Sequence, residues 1–133
     1  MSLAADRNTP LQDADVISVP VAAGVTIFAG ALVAASATGY AQPGATALNL
    51  TYIGRADQYV NNSAGAAGAQ TVFVRRKRAF YWANSATDPV TQASLGKPCY
   101  IVDDQTVSST NGNNTQSAAG VVVGLDANGV WVE

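Results

Sequence analysis

Apolar positions in this chain come in short runs that alternate with polar residues, which is the period of strands rather than helices. Residues 16–21 (VISVPV) read as a strand, with Pro20 confining it to an edge or an end. Residues 25–28, 31–35 and 40–41 read as further short strands, separated by turns at Gly24, Gly30 and Thr38-Gly39. The centre of the chain predicts two long strands, 49–60 and 70–82, closed into a hairpin by the small-residue loop 61–69. After it, residues 97–102, 106–108, 119–125 and 130–133 read as strands. Asp126-Ala127-Asn128-Gly129 is the clearest hairpin turn. The valine run in 119–125 predicts burial on both faces, and Trp131 falls opposite Val130 and Val132. One short helix is expected near residues 89–95, with Asp88 as its cap, Pro89 in its first turn and Gly96 as its left-handed stop.

These elements define an all-β fold: a small β-barrel or β-sandwich of about eight to ten short strands. Residues 1–14 have no periodicity and read as a flexible N-terminal arm; residues 15–133 read as a single β domain.

The run Arg75, Arg76, Lys77 and Arg78 interrupts the most strand-like stretch of the chain. Strict alternation puts Val72, Val74, Arg76, Arg78, Phe80 and Trp82 on one face, so that face changes from apolar to basic and back. A strand buried along its whole length would not tolerate this, because an unpaired buried cation costs several kcal/mol. The middle of the strand therefore leaves the core, or meets acidic residues at Asp57, Asp103 or Asp104. A solvated stretch, an acidic protein partner and nucleic acid are the three readings of the run. The candidate interface residues are these four and, on the arm, Arg7 and Asn8.

Composition narrows the chemistry. Charged residues are 12% of the chain and the net charge is −2, not the basic excess of a nucleic-acid binder. Small neutral residues dominate, as suits a surface meant to be covered. The absence of histidine removes Ser-His-Asp and Cys-His catalysis and His-ligated metals. Cys99, the single cysteine, lies in a strand pattern and reads as a small buried apolar residue. Asp103-Asp104 invite a metal reading, but no third carboxylate follows at ligand spacing, so a plain turn is expected. No cofactor and no catalysis are expected. No run has the length of a membrane-spanning helix, so no membrane partner is expected.

Several stretches, taken in order, carry a resemblance: VPVAAG (19–24), IFAGALV (27–33), TGYA (38–41), YIGRA (52–56), NNSAG (61–65), GKPCYIVDDQTV (96–107) and GVVVG (120–124). Together they resemble the capsid cement, or head decoration, proteins of tailed phages and prophages, over most of residues 16–133. The resemblance implies a β-rich, non-enzymatic virion protein made in the bacterial host cytoplasm and placed on the capsid surface. It implies binding to the major capsid protein, with an N-terminal arm engaging it, and a homo-oligomer, a trimer being favoured. Composition suits other virion parts equally, such as a tail-tube or head-completion protein. A small β-barrel module for single-stranded nucleic acid, stacking bases on Phe73, Phe80, Tyr81 and Trp82, or for glycan, using Tyr40, Tyr59, Tyr81, Trp82 and Trp131, is the competing class. Net charge makes nucleic acid an unlikely partner.

Overall fold

The structure is a computed structural model that describes residues 1–133. Twelve strands and one 3-10 turn follow the arm: β1 (Val16–Pro20), β2 (Thr26–Ile27), β3 (Leu32–Ala35), β4 (Ala41–Pro43), β5 (Thr51–Ala56), β6 (Val60–Asn61), β7 (Thr71–Arg75), β8 (Phe80–Asn84), the 3-10 turn (Gln92–Ser94), β9 (Pro98–Ile101), β10 (Thr106–Ser108), β11 (Ala118–Asp126) and β12 (Gly129–Val132). The barrel and the sheet architectures occur together. β10, β8, β12, β11 and β9 close into a barrel, while β1, β7, β5, β3 and β4 form an open sheet in that order, and β2 pairs with β6.

The alternation of side chains builds two cores from these strands. Val19, Val21, Ile27, Val33, Ala41, Ala56, Val60, Val72 and Val74 pack in one cluster with Ala31. Leu32 and Ala34, the neighbours of Val33 on β3, point the other way into the barrel cluster of Phe80, Trp82, Val90, Cys99, Ile101, Val107, Val122, Val130 and Val132. β3 is thus shared by both cores, with period 2 deciding which residue goes where. An irregularity between Val33 and Ala34, where the β5 partners step from Gly54 to Tyr52, turns Tyr52 towards the barrel and leaves Ile53 against the other cluster.

The central hairpin is the main correction to the sequence reading. The first arm is two strands, β5 and β6, with β6 diverted to pair with β2. The second is also two, β7 in the open sheet and β8 in the barrel, and the cationic residues are the crossing between them. Alternation nevertheless survives the break: Val72, Val74, Phe80 and Trp82 are all buried. The valine run of β11 is not buried on both faces. Val122 is fully enclosed, whereas Val121 and Val123 are exposed, because the outer wall of the barrel faces solvent. The short helix is a single 3-10 turn capped by Thr91, with Ser94 closing the capping box. Asp88 instead accepts hydrogen bonds from the backbone and hydroxyl of Thr110, at 3.0 and 2.6 Å. Gly96 does adopt the left-handed conformation, with φ 78°.

Other readings are met. Asp126 and Gly129 pair across the β11–β12 turn, and the Asp126 carboxylate accepts the backbone N–H groups of Asn128 and Gly129 at 2.7 and 3.1 Å. Trp131 is exposed between buried Val130 and Val132. Cys99 is fully enclosed, and burial pushes its thiol up to about 12, far from a reactive thiolate. Asp103 and Asp104 form a turn in which Asp103 accepts the N–H of Gln105 at 2.9 Å.

Candidate functional site: a basic junction between the two sheets

The crossing from β7 to β8 is held from three sides. Arg55 on β5 stands directly opposite Arg75 on β7. Like charges in that position repel, and Asp57 bridges them, its two carboxylate oxygens 3.0 Å from Arg55 and 3.1 Å from Arg75. Asp57 is itself fixed by its backbone N–H, which donates to the carbonyl of Phe73 at 2.8 Å. Partial desolvation raises the Asp57 pKa, but the hydrogen bond from Arg55 and the charge of Arg75 outweigh it and hold the carboxyl below its ordinary value. The guanidinium of Arg55 also lies 5.3 Å from the ring centre of Phe80, the first residue of β8. Arg55 therefore ties the open sheet to the barrel.

Gly54 allows this approach. A Cβ at that position would stand 2.1 Å from the carbonyl oxygen of Arg75, so only glycine lets β5 come so near the crossing. Beyond Arg75, the backbone N–H of Arg76 donates to the carbonyl of Asp15 at 2.8 Å. Lys77 takes a left-handed conformation at φ 60°, which turns the chain out of one sheet and into the other. Arg78 donates to the Lys77 carbonyl at 2.9 Å and reaches the Asp15 carboxylate at 3.4 Å. Lys77, Arg78 and Ala79 are exposed, and their backbone N–H groups find no backbone acceptor.

Arg75, Arg76, Lys77 and Arg78 are thus brought together, with the charged stretch outside both cores as expected. Of the acids proposed to meet them, Asp57 does and Asp103 and Asp104 do not. Asp15 and Arg55 complete the site and were missed. An Arg-x-Asp pattern at 55–57, which sets both side chains on one face of a strand, was the available signal for Arg55; the crossing that brings Asp15 near has no local signal. Arg7 and Asn8 lie on the exposed arm and form no hydrogen bond or ion pair with this constellation, and the arm's own backbone bond is Thr9 N–H to the Arg7 carbonyl at 3.1 Å.

Charge is strongly segregated. Five of the seven Lys and Arg residues stand at the junction with two of the nine acids, Asp15 and Asp57. That is a local excess of three positive charges on a chain of net charge −2. Beside it, on β7 and β1 of the open sheet, Phe73 and Val16 are exposed.

The aromatic side chains do not make the platforms of the competing readings. Phe80 and Trp82 are buried, leaving Phe73 and Tyr81 of the four rings suggested for base stacking. Tyr81 and Trp131 form one tilted pair at 4.7 Å, and Phe28 and Tyr59 another at 5.5 Å. Neither is a flat row of three solvent-facing rings.

No protein-family model, curated protein or solved structure matches this chain.

Proposed function

We propose that this protein is a non-enzymatic structural component of a virion. It binds the outside of a phage head, where it reinforces contacts between subunits of the major capsid protein. The observation that carries the proposal is the exposed cationic junction, preorganised between two packed cores on an otherwise acidic chain. The backbone that carries these charges is held between two packed cores, which suits docking against an acidic protein surface, since the positions of the cations along the chain are set before encounter and wrong registers are penalised. The ordered resemblance to capsid cement proteins supports the same reading, as does a surface rich in small neutral residues. On this reading the protein acts as a homo-oligomer, a trimer being favoured, and it reaches the capsid surface after synthesis in the host cytoplasm.

The test is cosedimentation with phage heads stripped of their outer proteins. Wild-type protein is expected to pellet with the heads. Replacing Arg76 and Arg78 together by Gln is expected to leave the fold intact and to weaken pelleting. The difference shrinks at high salt, as screening removes the wild-type advantage. Equal pelleting of the two proteins would remove the junction from the function. Retention of single-stranded DNA that is lost in the double variant would move the protein to the nucleic-acid class.

A further inference from the structure

We propose that the turn at residues 76–78 is a carboxylate receptor, in which the side chain of Asp15 holds the place that an acidic side chain of the docking partner takes. The inference rests on the reading of the junction as a docking face and names the chemistry of its ligand: aspartate or glutamate carboxylates on a polypeptide.

The two carboxylates at the junction differ in kind. Asp57 is gripped by two arginines at 3.0 and 3.1 Å, with its side chain 21% exposed. It belongs to the framework. Asp15 touches one guanidinium, at 3.4 Å, and the two side chains are 48% and 54% exposed. A pair so long and so open contributes little to stability and exchanges readily with another carboxylate. Its displacement leaves the turn intact, because the backbone carbonyl of Asp15, not its side chain, holds the N–H of Arg76.

The turn retains donors that the protein leaves unused. Beyond the Arg76 and Lys77 side chains, the N–H groups of Lys77, Arg78 and Ala79 have no backbone acceptor. Lys77 is left-handed at φ 60°, and turns containing such a residue can gather successive N–H groups into an anion-accepting arrangement. Polypeptide carboxylates fit better than a nucleic-acid strand. Beyond the junction the chain carries seven acids against two cations, which repels a long polyanion, and Phe80 and Trp82 are too buried to stack on bases.

The experiment compares two labelled probes by fluorescence anisotropy at low ionic strength: a hexaglutamate peptide and a hexamer of thymidylate. Asp15→Asn is expected to tighten hexaglutamate binding roughly two- to five-fold, the range set by releasing one exposed ion pair. Arg78→Gln is expected to weaken it, and Asp15→Asn added to Arg78→Gln to give no further gain, since the competitor and its target are then both gone. Superimposable thermal melts check that each variant folds. Unchanged or weaker hexaglutamate binding by Asp15→Asn would overturn the placeholder role, as would an equal gain in the Arg78→Gln background. Tighter binding of thymidylate than of hexaglutamate would overturn the choice of carboxylate. If head binding requires Arg76 and Arg78 while hexaglutamate binding ignores Asp15, the receptor inference fails and the docking reading stands.

Discussion

The indole N–H of Trp82, on the barrel, donates to the hydroxyl of Tyr52, on the open sheet, at 3.2 Å. This bond crosses the seam between the two architectures at a point where Trp82 is 4% exposed. Removing the acceptor leaves the indole donor without its partner in a place poorly reached by water, where an unsatisfied group costs about 1–3 kcal/mol. Tyr52→Phe is expected to lose stability in that range, measured by urea unfolding at neutral pH.

The same residue sets an alkaline dependence. Burial pushes the Tyr52 hydroxyl up to about 12 from its ordinary value of 10.0, despite the opposing hydrogen bond from Trp82. The folded chain holds this proton where the unfolded chain has released it. Tyr52 therefore contributes stability that is fully present below pH 10.0 and is lost as pH rises towards 12. The alkaline fall of unfolding free energy should be shallower in Tyr52→Phe than in the wild type, with Cys99 accounting for part of what remains. Parallel curves would show that Tyr52 does not titrate as burial requires.

Gly54 carries a different burden. A methyl group there must displace the carbonyl of Arg75, and with it the start of the basic turn. Forced overpacking of this kind costs about 1–3 kcal/mol. Gly54→Ala is expected to lower the melting temperature and also to weaken head binding beyond what its stability loss explains. A variant as stable as wild type would show that β5 and β7 can separate freely at this point.

How much of this was legible beforehand depends on the range of the interactions. Period-2 alternation correctly set Val72, Val74, Phe80 and Trp82 on one face and Trp131 opposite Val130 and Val132, because those choices are local. It could not tell that residues 70–82 change sheet at Lys77, since alternation is preserved through the turn and nothing in the run is Gly or Pro. The cations themselves were the signal that the chain leaves its core. The pairing of Asp15 with Arg78 depends on β1 meeting β7, a contact spanning more than fifty residues, and no nearby pattern encodes it. Valines 121–123 misled for the opposite reason: a continuous apolar run looks the same whether its outer face is covered or open.

The arm offers a separable test. Leu3 and Leu11 are 73% and 93% exposed, so the arm places no large apolar side chain in either core. Deleting residues 1–12 is expected to change thermal stability by under about 0.5 kcal/mol, as for surface changes that touch no packed group. If the arm engages the capsid, as the resemblance to capsid cement proteins implies, cosedimentation with stripped heads should weaken in the same variant. A large loss of stability would mean that the arm supports the domain, and undiminished pelleting would leave it without a role in docking.

Asp57 gives the sharpest electrostatic prediction, because it stands between two arginines that are otherwise placed to repel. Asp57→Asn keeps the shape and an acceptor oxygen but removes the charge. The direct opposition of Arg55 and Arg75 is then uncompensated, and stability near neutral pH is expected to fall by up to about 1 kcal/mol, the scale of partly exposed pairs. The carboxyl of Asp57 has a lowered pKa in the folded chain, so its contribution is present above the ordinary carboxylate value and lost as pH falls through the folded one. Wild type and Asp57→Asn should therefore differ most at neutral pH and converge in acid. Added salt should narrow the neutral-pH gap by screening both the attraction that is lost and the repulsion that is uncovered. Urea unfolding at a series of pH values measures this directly. A gap that persists unchanged into acid would show that Asp57 acts through its hydrogen-bonding shape, and that its charge does not hold the two arginines in register.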